Sequence, residues 1–178
     1  MRVVQMENMV LKTLEERRSV RSYQDKQVEK ETLDAILRAG TYAATGMNRQ
    51  SPIIVAIQDK ETIQAISRMN AAVMGRDGDP FYGAPTLLVV LADPTVRTYV
   101  EDGSLVIGNM MNAAFSLGVD SCWIHRAKEV FATDEGKSLL AKWGIEGEYV
   151  GVGNLILGYR DGELPVTRPR KENYIYYV

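Results

Sequence analysis

The chain has 178 residues, of which 46% are hydrophobic and 25% charged, and its formal net charge is −2. These values predict one globular domain over residues 1–178, and the slightly acidic balance excludes a global basic field for nucleic acid or an anionic membrane. One cysteine and one histidine exclude a disulfide framework and a zinc site built from several such ligands. The lack of an apolar leader, or of a run of about 18 apolar residues, favours a cytoplasmic protein without a membrane span.

The first third of the chain predicts two helices and a loop. A first helix is indicated by residues that recur at helical spacing, namely Met6, Met9, Val10, Thr13 and Leu14. A second helix is predicted over residues 29–39, with Gly40 as its C-terminal cap. Residues 41–52 are small and polar and include Gly46 and Pro52, so they predict a loop.

The middle of the chain predicts two strands on either side of a helix. Residues 53–58 form a β-branched apolar run, and Asp59 is placed to cap the helix that follows. Three glycines and a proline within residues 74–83 predict a mobile surface loop. Residues 86–92 form the most continuous apolar run of the chain and predict an interior strand.

The last part of the chain continues this mixture of helices and strands. A helix is predicted over residues 102–117, a short strand over 121–124, a helix from 133 or 134 to 144, and a strand over 149–157. A regular β-α-β alternation with short loops is missing from this order. The sequence therefore favours an α+β fold.

Two features of these elements favour an intertwined homodimer. The helix over residues 102–117 has no wholly polar face, so one layer of protein on each side would not cover it. The tail over residues 159–178 ends in five apolar or aromatic residues, which would fray unless they dock on another surface. A monomer that buries the helix in its own core and folds its tail back is the alternative.

Arginines are concentrated near both ends of this net-acidic chain. They occur in the motifs R-R-S-V-R and R-P-R-K, which contain Arg17, Arg18, Ser19 and Arg21, and Arg168 and Arg170. Guanidinium forks and a short hydroxyl donor suit a phosphate dianion, and the two clusters could meet on one anion. Each cluster taken alone favours a solvated charged surface.

The loop between the second helix and the first strand is a candidate ligand-binding segment. Its small residues would let a planar ligand approach the backbone. Asn48 and Gln50 offer amide donors and acceptors two residues apart. The alternative is an ordinary surface loop.

Five motifs, taken together and in order, resemble the FMN-dependent nitroreductase family. They are R-R-S-x-R after a first helix, N-x-Q-x-P before a strand, G-A-P at a strand entry, L-G-x-x-S-x-W-I after a long apolar helix, and R-P-R-K near the C-terminus. Their order and spacing match from about Leu14 to Lys171. The resemblance implies a three-layer α/β/α fold with a central, mainly antiparallel sheet, and a homodimer whose C-terminal tails are exchanged between subunits.

The resemblance also implies two FMN sites at the dimer interface and assigns residues to them. The flavin phosphate would be held by Arg17, Ser19, Arg168 and Arg170, with Arg18 nearby. Arg21 would face the pyrimidine edge of the flavin. The other subunit would contribute Thr45, Gly46, Asn48 and Gln50 to the ring and ribityl chain. The segment under the flavin near its N5 atom would be Ile124, His125 and Arg126.

The activity implied by the resemblance is flavin-borne, with no catalytic side chain and no metal. NAD(P)H would reduce FMN, and the hydride would pass in ping-pong exchange to a nitroaromatic, a quinone or a similar small-molecule acceptor. Enone reduction, dehalogenation or flavin-consuming synthesis within the same family are alternatives. A flavin-binding protein without turnover, or an interaction module whose arginines bind phosphorylated or acidic partners, are alternatives from other classes.

Three features depart from the pattern of the family. His125 and Arg126 stand where larger relatives often have a Glu-Gly pair, so a contact to N5 from a side chain is open to question, whereas one from the backbone N–H could survive the change. The lysine and asparagine that precede the G-A-P strand entry in the family have no match in residues 74–82. The short chain also leaves little room for a helical excursion over the substrate, so we expect an open site.

Overall fold

The computed structural model describes residues 8–178 and contains a four-stranded sheet between two layers of helices. Met6 of the predicted first helix lies outside the described residues. The helices are α1 (Met9–Glu16), α2 (Lys30–Thr41), α3 (Lys60–Met74), α4 (Tyr99–Ser116), α5 (Ala127–Ala132) and α6 (Asp134–Lys142). The strands are β1 (Pro52–Ile57), β2 (Thr86–Ala92), β3 (Asp120–Ile124) and β4 (Val150–Gly158).

The sheet has the strand order β1-β2-β4-β3, and all of its neighbouring strands are antiparallel. Every residue of β2 is buried, as predicted for the most continuous apolar run. Because side chains alternate along a strand, Leu87, Val89 and Leu91 enter one core while Leu88 and Val90 enter the other. This arrangement confirms the predicted α+β, three-layer fold with an antiparallel sheet.

The two cores differ in the helices that cover them. Ile66 of α3 and Phe131 of α5 are buried in the core on one face of the sheet. Ile36 of α2 and Met110 of α4 are buried in the core on the other face. The sheet is therefore covered on both faces within a single chain.

Helix α4 differs from its prediction in where it begins. It begins at Tyr99, three residues before the predicted start at Asp102, because the turn at Val96 already bonds to Tyr99. Within the chain it buries only one face, and Leu105 on the other face is 51% exposed. An apolar surface of this helix therefore remains uncovered in the single chain, and its burial by a partner subunit stays a prediction.

Two further segments differ from the sequence-based expectations. Helix α5 was not predicted, because six residues carry too little periodicity to stand out. Residues 79–83, predicted as part of a mobile loop, form a hydrogen-bonded turn in which Phe81 is almost fully buried. Both segments border the candidate site.

The segment after β4 runs back along residues 22–24. Tyr23 pairs with Arg160, the Gln24 N–H donates to the Tyr159 carbonyl, and the Asp161 N–H donates to the Ser22 carbonyl. The final apolar residues of the tail are all strongly exposed, namely Tyr174, Ile175, Tyr176, Tyr177 and Val178. The tail therefore does not return to the core of its own chain.

Candidate functional site

The first arginine motif is fixed along the edge of the sheet. Helix α1 ends at Glu16, and the chain then becomes extended, so that Ser19 forms a parallel bridge with Ser121 of β3. The Val20 N–H donates to the Ser121 carbonyl at 3.1 Å, and the Val20 side chain is buried. This pairing gives the motif a defined backbone that a surface charge cluster would not need.

Two guanidinium nitrogens of this motif are buried without a hydrogen-bond acceptor. They are Nη1 of Arg17 and Nε of Arg18. Burial, followed by the like charge of Arg18, lowers the pKa of Arg17. Buried cationic donors without partners are costly and rare in native proteins. An anion with several acceptor oxygens, such as a phosphate, has the chemistry to accept hydrogen bonds from such nitrogens.

The second arginine motif reaches the first through the C-terminal tail. Nη2 of Arg18 donates to Oγ1 of Thr167, the residue before Arg168. Arg168 and Arg170 are both exposed, and neither forms an ion pair with any described residue. The tail therefore contacts the first arginine motif through Thr167, directly before Arg168.

The end of β3 carries the third candidate segment. Ile124 is buried, whereas His125 and Arg126 are exposed. Arg126 adopts a left-handed backbone with φ 81°, a conformation that favours glycine, and it immediately precedes α5. Its guanidinium forms an ion pair with Glu129 at 2.7 Å, and this bond lowers the pKa of Glu129. The side chain is therefore turned to its own helix, while the backbone keeps a glycine-like geometry.

The loop between α2 and β1 is held by one buried carboxylate. Asp102, in the first turn of α4, accepts hydrogen bonds from the Gly46 N–H at 2.9 Å, Thr98 Oγ1 at 3.1 Å and Ser51 Oγ at 3.2 Å. The Gln50 N–H in turn donates to Thr45 Oγ1. Asp102 thus fixes both ends of the candidate loop.

Within this loop the backbone is strained. Met47, Asn48 and Gln50 all have positive φ, between 50° and 56°. Nε2 of Gln50 donates to Oδ1 of Asn48 at 3.2 Å, so the two amides are paired with each other. Several non-glycine residues in this conformation are more common at functional sites than in ordinary loops.

The loop and the arginine motif lie at opposite corners of the sheet. Pro52, at the end of the loop, is level with Val150 through β2, whereas Ser121, beside the arginine motif, is level with Leu157. Residues 150 and 157 are about 23 Å apart along β4, and the outer strands are about 14 Å apart across the sheet. A separation of roughly 27 Å on the diagonal prevents one chain from placing both segments on one small ligand.

Several residues of the site were missed by sequence reasoning. The role of Asp102 has a weak signal, an acidic residue in the first turn of a helix. Thr167 and Tyr82, whose ring lies 6.0 Å from the guanidinium of Arg21, have no signal in sequence because their contacts are long-range. These residues became visible only when the chain was folded.

Two further classes of site are not found within residues 8–178. No group of three or more histidine, cysteine, aspartate or glutamate side chains is placed to hold a metal ion. None of the helices in that range is long and apolar enough to cross a membrane.

Comparisons with known proteins identify the family of this chain. The model of the nitroreductase family matches residues 14–159. A nitroreductase with bound FMN from Bacteroides fragilis is similar in structure, with a TM-score of 0.89 and 31% identity over 97% of this chain and 100% of that chain. An FMN-bound nitroreductase from Desulfitobacterium hafniense gives a TM-score of 0.87 and 28% identity over the same shares. A provisionally named NADH dehydrogenase/NAD(P)H nitroreductase of Archaeoglobus fulgidus is 30% identical over 86% of both chains.

Proposed function

This chain belongs to the nitroreductase family, and we propose that it is an FMN-dependent oxidoreductase that passes hydride from NAD(P)H to small oxidised organic acceptors such as nitroaromatics and quinones. One observation carries the proposal. Buried guanidinium nitrogens of Arg17 and Arg18 lack acceptors at the place where the tail contacts Arg18. A cofactor phosphate would supply those acceptors, and the FMN bound by the Bacteroides fragilis and Desulfitobacterium hafniense relatives carries one.

The phosphate would be held by the two arginine motifs. Arg17 and Ser19 are on the edge of the sheet, and the tail contacts Arg18 through Thr167, so that Arg168 and Arg170 on the same tail would complete the phosphate clamp. Arg18 already donates to the tail, so it orders the second motif while its Nε is left for the anion. Bidentate guanidinium–phosphate pairs would give this end of the site both affinity and orientation.

At the ring end of the site, the chain would orient the flavin and stabilise its charge. When bound, FMN supplies a ring that accepts and returns hydride. Arg21 would place a permanent cation at the pyrimidine edge, where negative charge develops on reduction. The left-handed backbone of Arg126 would present an N–H to N5, with Ile124 beneath the ring and His125 at its exposed side.

The remaining contacts would come from a second copy of the chain. The loop with Thr45, Gly46, Asn48 and Gln50 is about 27 Å from the arginine motif of its own chain, so it reaches a flavin only in a homodimer. The uncovered face of α4 and the exposed C-terminal tail provide apolar surface for this assembly. Each of two equivalent sites would then combine the arginine motifs of one copy with the loop of its partner.

The activity can be tested with purified protein supplied with FMN. We expect a yellow protein whose absorbance bleaches when NADH or NADPH is added without oxygen and returns when a nitroaromatic or a quinone follows. If NAD(P)H and the acceptor occupy the same open face of the flavin in turn, the steady-state rates should give parallel double-reciprocal plots. Retention of FMN without bleaching would indicate a non-catalytic flavoprotein, and failure to take up FMN would contradict the proposal.

Mixed dimers test whether the site is shared between two copies. One copy carries Arg17→Ala and the other Gly46→Ala, whose added Cβ would lie 2.3 Å from Thr98 Oγ1 and displace the loop. A shared site predicts that each homodimer binds FMN poorly, whereas the mixed dimer regains one intact site in two. If the site lay within one chain, the mixed dimer would regain nothing.

A further inference from the structure

Tyr82 is held outside the core by a tight turn. The Asp79 carboxylate accepts hydrogen bonds from Ser67 Oγ at 2.5 Å, from the Phe81 N–H at 2.9 Å and from the Gly83 N–H at 2.6 Å. The Tyr82 N–H donates to the Asp79 carbonyl. Phe81 fills the core, whereas the Tyr82 side chain is 43% exposed. The turn therefore anchors one aromatic ring and presents the next one to the surface.

The backbone of Tyr82 is strained in order to achieve this. Its φ is +54°, in the left-handed region that bulky residues rarely occupy, and Gly83 follows with φ +69°. Such a conformation persists only where neighbouring bonds determine it, and it is enriched at functional sites. The four hydrogen bonds accepted by Asp79 hold the turn in this conformation, and this turn fixes the direction of the Tyr82 ring.

The ring faces the guanidinium of Arg21, whose backbone is also fixed. The preceding residue, Val20, donates its N–H to Ser121 and accepts a hydrogen bond from Tyr23 Oη at 2.7 Å. The Cζ atom of Arg21 lies 6.0 Å from the centroid of the Tyr82 ring. None of the ion pairs among residues 8–178 involves Arg21. The aromatic face is thus the partner that the fold gives to this cation.

We propose that Tyr82 is a positioning residue that holds the Arg21 guanidinium at the flavin and thereby raises the reduction potential of bound FMN. The proposal rests on the function proposed above. An arginine side chain loses rotamer entropy when it is fixed, and a flanking ring limits that freedom before reduction occurs. A preorganised cation favours the reduced, negatively charged ring over the oxidised one without costing reorganisation at that step.

A double-mutant cycle on the FMN-loaded dimer tests the proposal. Tyr82→Leu removes the ring, whereas Tyr82→Phe keeps its face and serves as the matched control. The readout is the two-electron midpoint potential, measured by equilibration with a reference dye. Loss of an exposed cation–π contact predicts that Tyr82→Leu weakens binding of reduced relative to oxidised FMN about fivefold, or about 20 mV. Tyr82→Phe should keep the wild-type potential.

The same variants in an Arg21→Ala background decide whether Tyr82 acts through Arg21. We expect Tyr82→Leu to cause no further shift there. An unchanged potential in Tyr82→Leu alone, or an equal shift with and without Arg21, would overturn the proposal. If Tyr82→Phe matched Tyr82→Leu, the hydroxyl rather than the ring face would be responsible, and the proposal would again be wrong.

An NMR measurement without flavin separates this inference from the proposed function. In the apo protein, the Arg21 side-chain protons should show an upfield ring-current shift that Tyr82→Phe keeps and Tyr82→Leu loses. Failure to bind FMN together with this pattern would remove the proposed function but keep the Tyr82–Arg21 pairing. Absence of the shift in the wild-type protein would refute the pairing itself.

Discussion

Among single residues, Arg17 and Arg18 show the clearest conflict between folding and binding. Burying a guanidinium nitrogen without an acceptor opposes folding, and the lowered pKa of Arg17 reports the same cost. A phosphate that accepts from these nitrogens would convert the cost into binding free energy. We therefore infer that the chain retains an unfavourable arrangement here because a ligand relieves it.

Substitution of Arg17 tests this inference through the phosphate alone. A hydrogen bond to a charged group contributes about 1.5–3 kcal/mol, so Arg17→Ala should weaken FMN binding roughly 10- to 100-fold. Riboflavin, which lacks the phosphate, should bind the variant and the wild type equally, as measured by flavin fluorescence quenching. Arg68→Ala, on the exposed side of α3, is the control and should bind FMN normally. Equal losses for riboflavin and FMN would contradict the phosphate assignment.

Among the secondary-structure elements, α3 shows a local capping motif that the sequence predicted correctly. Asp59 accepts hydrogen bonds from Thr62 Oγ1 at 2.6 Å and from the Thr62 N–H at 2.8 Å. The hydrogen bond from the Thr62 hydroxyl has the larger effect and the bond from the Thr62 N–H the smaller, and both lower the pKa of the Asp59 carboxyl in the folded state. The charged cap thus stabilises the fold above the unfolded pKa of the group, and its contribution is lost as pH falls through the lower, folded pKa.

Thermal unfolding over a range of pH tests this linkage. At pH 7, Asp59→Ala should lower Tm by about 2–4 °C because the cap is lost. Asp59→Asn keeps an acceptor without the titrating charge, so the advantage of the wild type over Asp59→Asn should disappear on acidification below the usual range of an aspartate. A difference that stayed constant with pH would show that the carboxylate charge contributes nothing.

Helix α5 depends on one close approach to the sheet. A Cβ added at Gly151 of β4 would lie 2.4 Å from the carbonyl carbon and oxygen of Ala127, in the first turn of α5. Gly151→Ala should therefore push α5 away, lower the free energy of unfolding by about 1–3 kcal/mol and move the neighbouring Arg126. Chemical denaturation and the flavin absorption spectrum measure the two effects. Wild-type stability in this variant would show that α5 can shift without cost.

Elements with strong periodicity were predictable from the sequence, whereas the geometry around the site was not. The strand over β2 and the cap at Asp59 follow from local patterns that the fold preserves. The left-handed backbones of Gln50, Tyr82 and Arg126 could not be predicted, because these residue types disfavour that conformation in isolation. Tertiary bonds impose it, such as those of Asp79 at Tyr82 and of Asp102 at the loop before β1.

At the scale of the whole molecule, the single chain leaves apolar surfaces exposed to solvent. The uncovered face of α4 and the end of the tail are apolar and exposed. A groove of about 380 Å³ is formed by α2, the loop before β1, β1 itself and α4, and it is lined by residues such as Leu37, Ile54 and Val106. The sequence predicted the dimer from these apolar segments, and assembly would also bring the loop of one copy to the arginine motifs of the other.

Removal of the last five residues tests the part that the tail plays in assembly. Residues 174–178 are each at least 68% exposed in the single chain, so their loss should leave the fold of that chain unchanged. If they dock on a partner, burial of their apolar surface contributes to association, and deletion should raise the dimer dissociation constant at least about tenfold, or about 1.4 kcal/mol. Sedimentation velocity across nanomolar to micromolar concentrations measures this constant.

Two controls separate the apolar character of the tail from its length. A variant with five serine and glycine residues in place of residues 174–178 should weaken the dimer as much as the deletion does. Val166→Ser, which changes an exposed apolar side chain earlier in the tail, should leave the dissociation constant as it is. If the site is shared between two copies as proposed, FMN should leave the deletion variant at concentrations where its subunits separate and stay bound where they remain paired. Unchanged dissociation in both the deletion and the serine–glycine variant would mean that the helical faces alone hold the two copies together.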